Sequence, residues 1–185
     1  MRALLASGNA HKLEELRAAL PGWELELLDT DAPYPAEDGE TYLENARRKA
    51  MFGREHAPKG EWVLGEDSGI EVAALGGAPG VVSARYGGER SGKQRLLREL
   101  DFVEDRRARY VCTIVALGPS GDEVAVVGTL EGAVAYEQRG SEGFGYDPIF
   151  VPAGEERTVA ELGNAWKRAN SHRARAAAAL RAAMS

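Results

Sequence analysis

The first thirty residues read as a strand, a helix and a second strand, and this order constrains the fold more than any other feature. Residues 2–7 form a short apolar run of strand length. Three leucines then repeat at helical spacing between residues 10 and 20, and Pro21–Gly22 ends that helix. Residues 23–27 alternate apolar and polar side chains, which is typical of a half-buried strand. Because two parallel strands need a crossover such as this helix, the start predicts an α/β protein.

Similar patterns follow along the rest of the chain. Further helices are predicted at 41–54, 93–100 and 171–184, and Thr41 and Glu44 form a capping box at the start of the first. Strands are predicted at 62–65, with 70–75 as a continuation, and at 109–117, 123–130 and 149–151. A turn at 119–122 makes the second and third of these a hairpin. We expect one mixed-sheet α/β or α+β domain over residues 1–185, because a chain of 185 residues has room for one domain of ordinary size.

Charge and cysteine content exclude several classes of protein. The chain has 23 basic and 29 acidic residues, a net charge of −6, which makes a general nucleic-acid surface a poor interpretation. Cys112 is the only cysteine, so neither an internal disulfide nor a cysteine-based zinc site can form. The apolar run at the N-terminus is too short for a signal peptide, and no window is long enough to span a membrane. We therefore expect a cytoplasmic protein without a membrane partner.

The segment from Ser7 to Lys12 joins the first strand to the first helix. Free backbone N–H groups at such a helix start bind anions, and Gly8 permits a tight turn there. His11 and Lys12 bring positive charge into the first turn, where the helix dipole disfavours it unless an anion is bound. The segment therefore predicts a phosphate site, the alternative being that Asn9 is an ordinary N-cap and Lys12 a solvated side chain.

Adjacent carboxylates, Glu66 and Asp67, are predicted at the end of an apolar strand, where α/β proteins bind ligands. Such a pair suits Mg²⁺, which binds a few carboxylates together with substrate phosphates. Asp67 could instead serve as a general base, or merely cap a turn. Glu37, in an acidic loop, is a further candidate ligand for the same metal. Glu44 is assigned to the capping box, and Lys49 is either functional or a solvated residue of the same helix.

Two later segments carry aromatic and basic residues. The loop from Gly143 to Pro148 contains two glycines and two aromatic residues, so a ring face there could stack on a base, the alternative being a packed turn. Ser171 is predicted to cap the last helix, with His172 and Arg173 in its first turn and Lys167 just upstream. Cations at the starts of two separate helices favour an anionic ligand over two solvated helix starts.

Two common nucleotide and hydrolase motifs are absent from the sequence. The spacing from Gly87 to Lys93 nearly matches a P-loop, but Gln94 stands where that motif needs Ser or Thr to bind Mg²⁺. No G-x-S-x-G nucleophile elbow is present either.

Taken together, these residues resemble one known family, the Ham1-like inosine triphosphate pyrophosphatases, which remove non-canonical purine nucleotides. The resemblance rests on five segments in the family's order between residues 7 and 176: SGNAHKLEEL, EDGETYLENARRKA, GEDSGIEVAALGGAPGVVSARY, GFGYDPIF and KRANSHRARA. It implies an α/β fold, an elongated domain with a central mixed sheet and two lobes flanking a substrate cleft. It also implies Mg²⁺-dependent hydrolysis of ITP, dITP and XTP to the monophosphate and pyrophosphate, by a protein that is usually a homodimer.

The resemblance also implies roles for individual residues. Asp67 resembles the general base, which also lies near metal, Glu37 resembles a metal ligand, and Glu66 stands where many members have Asp. The SARY segment puts Arg85 near the site. The positions that resemble substrate contacts are Ser7, Gly8, Asn9, Ala10, His11 and Lys12 for the triphosphate, Lys49 and Ser68 for the substrate in general, Phe144, Gly145, Tyr146 and Asp147 for the sugar and base, and Lys167, His172 and Arg173 for the base and its 6-oxygen.

A base with a 6-oxo group can be distinguished from adenine by a cationic donor. Such a donor, His172 or Arg173, would hydrogen-bond the 6-oxygen of hypoxanthine or xanthine and leave the amino group of adenine without a partner. That mismatch is worth roughly 1–3 kcal/mol. Guanine carries the same 6-oxo group, so this contact does not distinguish it.

Two other functions compete with this interpretation. One is a nucleotide-binding sensor without turnover, against which the intact set of Glu37, Glu66 and Asp67 argues. The other is a pyrophosphatase of the Maf type that acts on pyrimidine or methylated nucleotides, against which the GFGYDP and SHR segments argue.

Overall fold

A computed structural model describes residues 1–88 and 91–185 of the chain. Its strands are β1 (Arg2–Leu5), β2 (Glu24–Leu27), β3 (Trp62–Val72), β4 (Arg107–Leu117), β5 (Glu123–Val134) and β6 (Phe150–Pro152). Its α-helices are α1 (Ala10–Ala19), α2 (Tyr42–His56), α3 (Gly92–Glu99), α4 (Val159–Asn170) and α5 (His172–Ala183). Residues 89 and 90, inside the stretch rejected above as a P-loop, lie outside the described residues.

The described strands form one sheet in the order β2-β1-β3-β4-β5-β6. β1 pairs with β2 and β3 in parallel, whereas β5 pairs with β6 antiparallel, so the sheet is mixed and the predicted α/β class is confirmed. The chain divides into two compact units. Unit 1 comprises residues 1–67, 112–128 and 173–185, and unit 2 comprises residues 68–111 and 129–172. The expectation of one domain over 1–185 stays a prediction.

Unit 1 begins with the predicted βαβ arrangement. In the parallel pairs, Leu5 lies opposite Leu27 of β2 and Leu64 of β3. The leucines of α1 are buried, as their spacing predicted, and Leu16 is fully buried. They pack in a core to which β4 contributes Ile114 and α5 contributes alanines and a leucine.

Helix α2 packs unusually closely on β3 because the contact is made of small residues. Ala46 and Ala50 are fully buried on its inner face. A Cβ added to Gly65 of β3 would lie 2.0 Å from the carbonyl oxygen of Ala46 and 2.5 Å from the amide nitrogen of Ala50. Only glycine fits at this position, and the close packing brings the polar residues of the same helix face, Asn45 and Lys49, onto the next residues of β3.

Unit 2 has its own core. Residues of β3, α3, β4 and β5 pack there against the segment that leads into β6, with Ile70, Leu96, Leu100, Ile149 and Phe150 fully buried. β5 and β6 pair through Gly132, opposite Pro152.

One sequence prediction about elements was wrong. Glu66 and Asp67 do not follow a strand, because β3 continues through them to Val72, and Asp67 therefore does not cap a turn. No element was predicted just before Ser171, where α4 runs from Val159 to Asn170 with a non-helical residue at Gly163. The capping boxes of α2 at Thr41 and of α4 at Thr158 are both formed. No helix in the described parts of the chain is long and apolar enough to cross a membrane.

Candidate active site

The start of α1 forms the N-cap considered above at Asn9, and the phosphate site there stays a prediction. The side chain of Asn9 caps the helix and accepts hydrogen bonds from the amides of His11, at 3.0 Å, and Lys12, at 3.4 Å. Ser7 Oγ accepts from the amide of Asn9 at 3.1 Å. Lys12 is not merely solvated, because its ammonium lies 2.6 Å from Glu66 Oε2. The helix start thus presents backbone donors next to a lysine that a buried carboxylate holds in place.

Glu66 is a fully buried carboxylate between two cations. Besides Lys12, it accepts hydrogen bonds from Nη2 and Nε of Arg173 at 2.9 and 3.2 Å. Arg173 is also buried and forms a second ion pair with Glu15 of α1. Burial raises the pKa of Glu66, but Arg173 and Lys12 outweigh that effect and hold the pKa well below its ordinary value. Glu66 is therefore an ionised charge at neutral pH.

Asp67, the next residue of β3, faces residues of α2. Lys49 Nζ donates to Asp67 Oδ1 at 3.0 Å and to the carbonyl oxygen of Glu66 at 3.0 Å. The same ammonium forms an ion pair with Glu37 Oε1. Burial raises the pKa of Asp67, and the attraction of Lys49 offsets this only in part. Burial lowers the pKa of Lys49, but Asp67 and Glu37 outweigh it and raise the pKa above its ordinary value, so Lys49 is a protonated, buried cation.

Glu37 and Asp67 are the carboxylates that could share a metal ion. Oxygens of both contact one atom, Lys49 Nζ, so they converge on a common volume. Among the residues that the structure describes, no group of three or more His, Cys, Asp or Glu side chains is arranged to hold a metal. Two converging carboxylates fit Mg²⁺, which completes its octahedral shell with water and substrate phosphates, rather than zinc held by three or four protein ligands.

Cys112 of β4 lies against the same cluster. Its Sγ is 3.2 Å from Glu66 Oε1, and the side chain is fully buried. Burial raises the pKa of the Cys112 thiol well above its ordinary value, and the charge of Glu66 adds to the effect. A thiol that stays protonated is a poor nucleophile, so the geometry does not support cysteine chemistry.

In unit 2, Asp147 joins the predicted aromatic loop to α4 and β4. Its carboxylate accepts hydrogen bonds from the amide of Phe144 at 2.8 Å, from Lys167 Nζ at 2.6 Å and from the Tyr110 hydroxyl at 3.2 Å. Asp147 and Lys167 are both buried. Gly143 has φ 77°, and a Cβ there would lie 2.2 Å from Asp147 Oδ2, so the turn around this carboxylate requires glycine.

The aromatic residues near Asp147 are held in defined positions. Lys167 Nζ lies 4.0 Å from the centre of the Phe144 ring, as in a cation–π contact. The Tyr146 hydroxyl donates to the carbonyl oxygen of Ser83 at 2.9 Å. Burial raises the pKa of Tyr146 to about 12, so this hydroxyl stays a donor at neutral pH. The buried ring of His172 stacks on Tyr110 with centroids 4.6 Å apart.

The predicted site residues thus fall into two groups. In unit 1, Glu66 pairs with Lys12 and Arg173, and Lys49 pairs with Glu37 and Asp67. A hydrogen bond from Lys49 to the backbone carbonyl oxygen of Glu66 links the two sets of ion pairs. Unit 2 joins Phe144, Asp147 and Lys167. Four further predicted residues lie next to these groups along the chain or apart from them. Ser68 follows Asp67 in β3, Gly145 follows Phe144, and Ala10 is the first residue of α1. Arg85 is exposed and lies in the segment between the turn at 80–82 and α3.

Sequence reasoning missed three residues of these groups, Glu15, Asn45 and Tyr110. Glu15 looks like a solvated helix residue, and Tyr110 alternates like any strand residue. Asn45 did carry a signal, because Asn45 and Lys49 are four residues apart on the same helix face as Ala46 and Ala50. Thr158 and Glu161 also carried a signal, because their spacing is that of a capping box, and they cap α4, the helix that contains Lys167.

Known proteins are similar to this chain over nearly its whole length. The sequence profile of the Ham1 family matches residues 3–183. A dITP/XTP pyrophosphatase of Opitutus terrae is 46% identical over 196 residues, which cover 97% of this chain and 97% of that protein. A protein of the same name from Exiguobacterium sibiricum is 44% identical over 194 residues, which cover 100% of this chain and 97% of that protein.

Solved structures are similar over the same length. The Ham1 protein of Staphylococcus aureus superposes with a TM-score of 0.86 at 34% identity, covering 100% of this chain and 98% of that one. A nucleoside-triphosphatase / dITP/XTP pyrophosphatase from Mycobacterium abscessus gives a TM-score of 0.76 at 43% identity, covering 97% and 98%. With both the sequence profile and these relatives matching nearly the whole chain, the protein belongs to the Ham1 family.

Proposed function

We propose that this protein hydrolyses non-canonical purine nucleoside triphosphates, ITP, dITP and XTP, to the monophosphate and pyrophosphate. The names of its relatives support this substrate class. The single observation that carries the proposal is that Glu66 and Asp67, two adjacent buried carboxylates, are both held by ion pairs. These ion pairs set the buried carboxylate of Glu66 against Lys12, at a helix start suited to phosphate, and the carboxylate of Asp67 against Lys49. Membership of the Ham1 family also argues against the Maf-type alternative.

Mg²⁺ is the metal that this site would use, held by Glu37 and Asp67. When bound, it would offset negative charge on the phosphate oxygens and complete its coordination with them. The convergence of both carboxylates on Lys49 Nζ supports this assignment, because one cation already satisfies both. Lys49 would then be available to the phosphates, as the resemblance implies.

The reaction requires water to attack the α-phosphorus while pyrophosphate leaves. Asp67 would orient that water or accept its proton, and its raised pKa suits a base better than the depressed pKa of Glu66 does. Lys12 and the backbone donors from Ser7 onward would offset charge on the leaving pyrophosphate. Glu66 would act indirectly, by holding Lys12 and Arg173.

The unit 2 group would read the sugar and base. Phe144 offers a ring face, Asp147 fixes the loop around it, and Lys167 supplies a cationic donor that could reach a 6-oxo group. His172 lies in the same group through Tyr110. Arg173 remains a proposed base contact, although its guanidinium already pairs with Glu66 and Glu15, so Lys167 is the better candidate for discrimination against adenine.

Assembly and location complete the proposal. The family resemblance supports a homodimer, and light scattering that reports a stable monomer near 20 kDa would contradict it. We propose a cytoplasmic location because the nucleoside triphosphate pool is used there.

A panel of nucleoside triphosphates with pyrophosphate detection tests the function. We expect Mg²⁺-dependent release of pyrophosphate from ITP, dITP and XTP at far higher kcat/KM than from ATP or CTP. Equal rates on ATP and ITP would contradict the base-reading role, and orthophosphate as the first product would contradict attack at the α-phosphorus. Binding of ITP without any turnover would favour the sensor alternative.

A further inference from the structure

Asn45 is a buried polar residue of α2 whose side chain makes two hydrogen bonds to the candidate site. Its Nδ2 donates to Asp67 Oδ2 at 3.1 Å, and its Oδ1 accepts from the backbone amide of Gly39 at 2.9 Å. The residue is only 1% exposed. Because a buried amide without partners is costly, both bonds matter to where this side chain lies.

The two partners fix the orientation of the Asn45 amide. Asp67, when ionised, can only accept a hydrogen bond, and the Gly39 amide can only donate one. Only the observed orientation of the Asn45 amide satisfies both. A carboxylate at this position could still accept from Gly39 but would face Asp67 with a second oxygen, and an apolar side chain could serve neither partner.

The hydrogen bond between Asn45 and the Gly39 amide connects α2 to the loop that carries Glu37, which lies two residues before Gly39. A Cβ on Gly39 would lie 2.7 Å from Asn45 Oδ1 and 3.0 Å from Glu44 Cβ, so the loop approaches α2 closely here. One turn along the helix, Lys49 binds the other oxygen of Asp67 and also contacts Glu37. Asn45 and Lys49 therefore both bind Asp67 from one turn of α2, and each also contacts the loop that carries Glu37.

We propose that Asn45 is a positioning residue that sets the orientation of the Asp67 carboxylate and ties it to the loop carrying Glu37. This inference rests on the proposed function, in which these two carboxylates hold the metal and activate water. Hydrogen-bond partners behind metal-binding carboxylates typically contribute 10- to 100-fold in metal affinity or activity. Misplacing a reacting group by about 1 Å has a similar effect on rate.

Two variants separate the two hydrogen bonds. Asn45→Asp has nearly the same shape and keeps an acceptor for Gly39, but it loses the donor to Asp67. Asn45→Ala loses both. We expect each variant to lower kcat for ITP by about 10- to 100-fold at saturating Mg²⁺. KM should stay within about threefold, because the residues proposed to hold phosphate and base are untouched.

Hydrogen exchange in the metal-free protein supplies a readout that does not depend on turnover. In wild type the Gly39 amide should be protected, because Asn45 accepts from it. Asn45→Ala should speed its exchange by at least about tenfold, whereas Asn45→Asp should retain most of the protection. Melting curves confirm that each variant is folded.

Glu44→Ala is the matched control. Glu44 lies on the same turn and accepts from the amides of Glu40 and Thr41, but it does not bond to Asp67. This variant should lower stability through its helix cap and leave kcat close to wild type.

Two results would overturn the inference. One is turnover of both folded Asn45 variants within about threefold of wild type, and the other is a Gly39 amide that exchanges equally fast in wild type and Asn45→Ala. If the wild-type protein does not hydrolyse ITP or XTP, the proposed function itself is overturned. That result differs from one in which wild type and the Asn45 variants hydrolyse ITP equally well, which overturns only the role of Asn45.

Discussion

The Glu66→Gln substitution tests whether the buried carboxylate is an ion-pair partner on which the fold depends. Glutamine keeps the size of the side chain but removes its charge. Arg173, 1% exposed, would then lose its ion pair with Glu66 and keep the one with Glu15, and Lys12 would lose its contact at 2.6 Å. Removing one member of a buried ion pair typically costs about 3–5 kcal/mol, because a buried charge loses a compensating partner.

Losing this ion pair should lower the melting temperature by a large amount. For a chain of this size, 3–5 kcal/mol corresponds to a melting temperature lower by roughly 6–20 °C. Urea unfolding with fluorescence detection would measure the free energy of unfolding directly. Glu123→Gln is the control, because Glu123 pairs with Arg47 at the surface and an exposed pair contributes only about 0–1 kcal/mol.

The pH dependence gives an independent check. The folded pKa of Glu66 lies below its ordinary value of 4.5, so its contribution to stability is complete above that pH. It is lost as the pH falls through the folded pKa. Stability of wild type should therefore fall more steeply below about pH 4.5 than stability of Glu66→Gln. A variant within about 1 kcal/mol of wild type at pH 7, with the same acid dependence, would refute the reasoning.

Three further predictions concern the two groups of site residues and the helix that supports them. Asp67→Asn should lower kcat for ITP by at least about 100-fold. Steady-state assays at saturating Mg²⁺ would measure this change, and melting curves would show how far the loss of the buried pair with Lys49 lowers stability. Gly65→Ala should reduce the free energy of unfolding by at least about 2 kcal/mol in chemical denaturation, because the new methyl group meets backbone atoms of α2, among them the oxygen of Ala46 at 2.0 Å. Asp147→Asn should lower kcat/KM for ITP by roughly 10- to 100-fold in steady-state assays, because it releases Lys167 and the loop amide of Phe144.

The local parts of this fold were predictable from sequence. The βαβ start follows from residue periodicity and from Pro21–Gly22, which act within a few residues. The N-cap at Asn9 and the capping box at Thr41 depend on neighbours at most four positions away, and both are formed. Helix α4 was missed although it carries the same kind of cap, because Gly163 interrupts its pattern.

The placement of Glu66 and Asp67 was not predictable in the same way. Charged residues after an apolar run usually mark the end of a strand, because burying a charge is costly without a partner. Here β3 continues because the partners come from distant segments, and Arg173 is 107 positions away from Glu66 in the sequence. Such pairings depend on the tertiary fold, so periodicity and spacing carry no signal for them.

The central claim is that water attacks the α-phosphorus of a 6-oxopurine nucleoside triphosphate at Asp67. Hydrolysis of ITP in ¹⁸O-labelled water, followed by mass spectrometry of both products, tests it most directly. Attack at the α-phosphorus places the label in the monophosphate and leaves pyrophosphate unlabelled. We expect that result, with the label appearing far more slowly in Asp67→Asn. Label in pyrophosphate, which requires attack at the β-phosphorus, would contradict it.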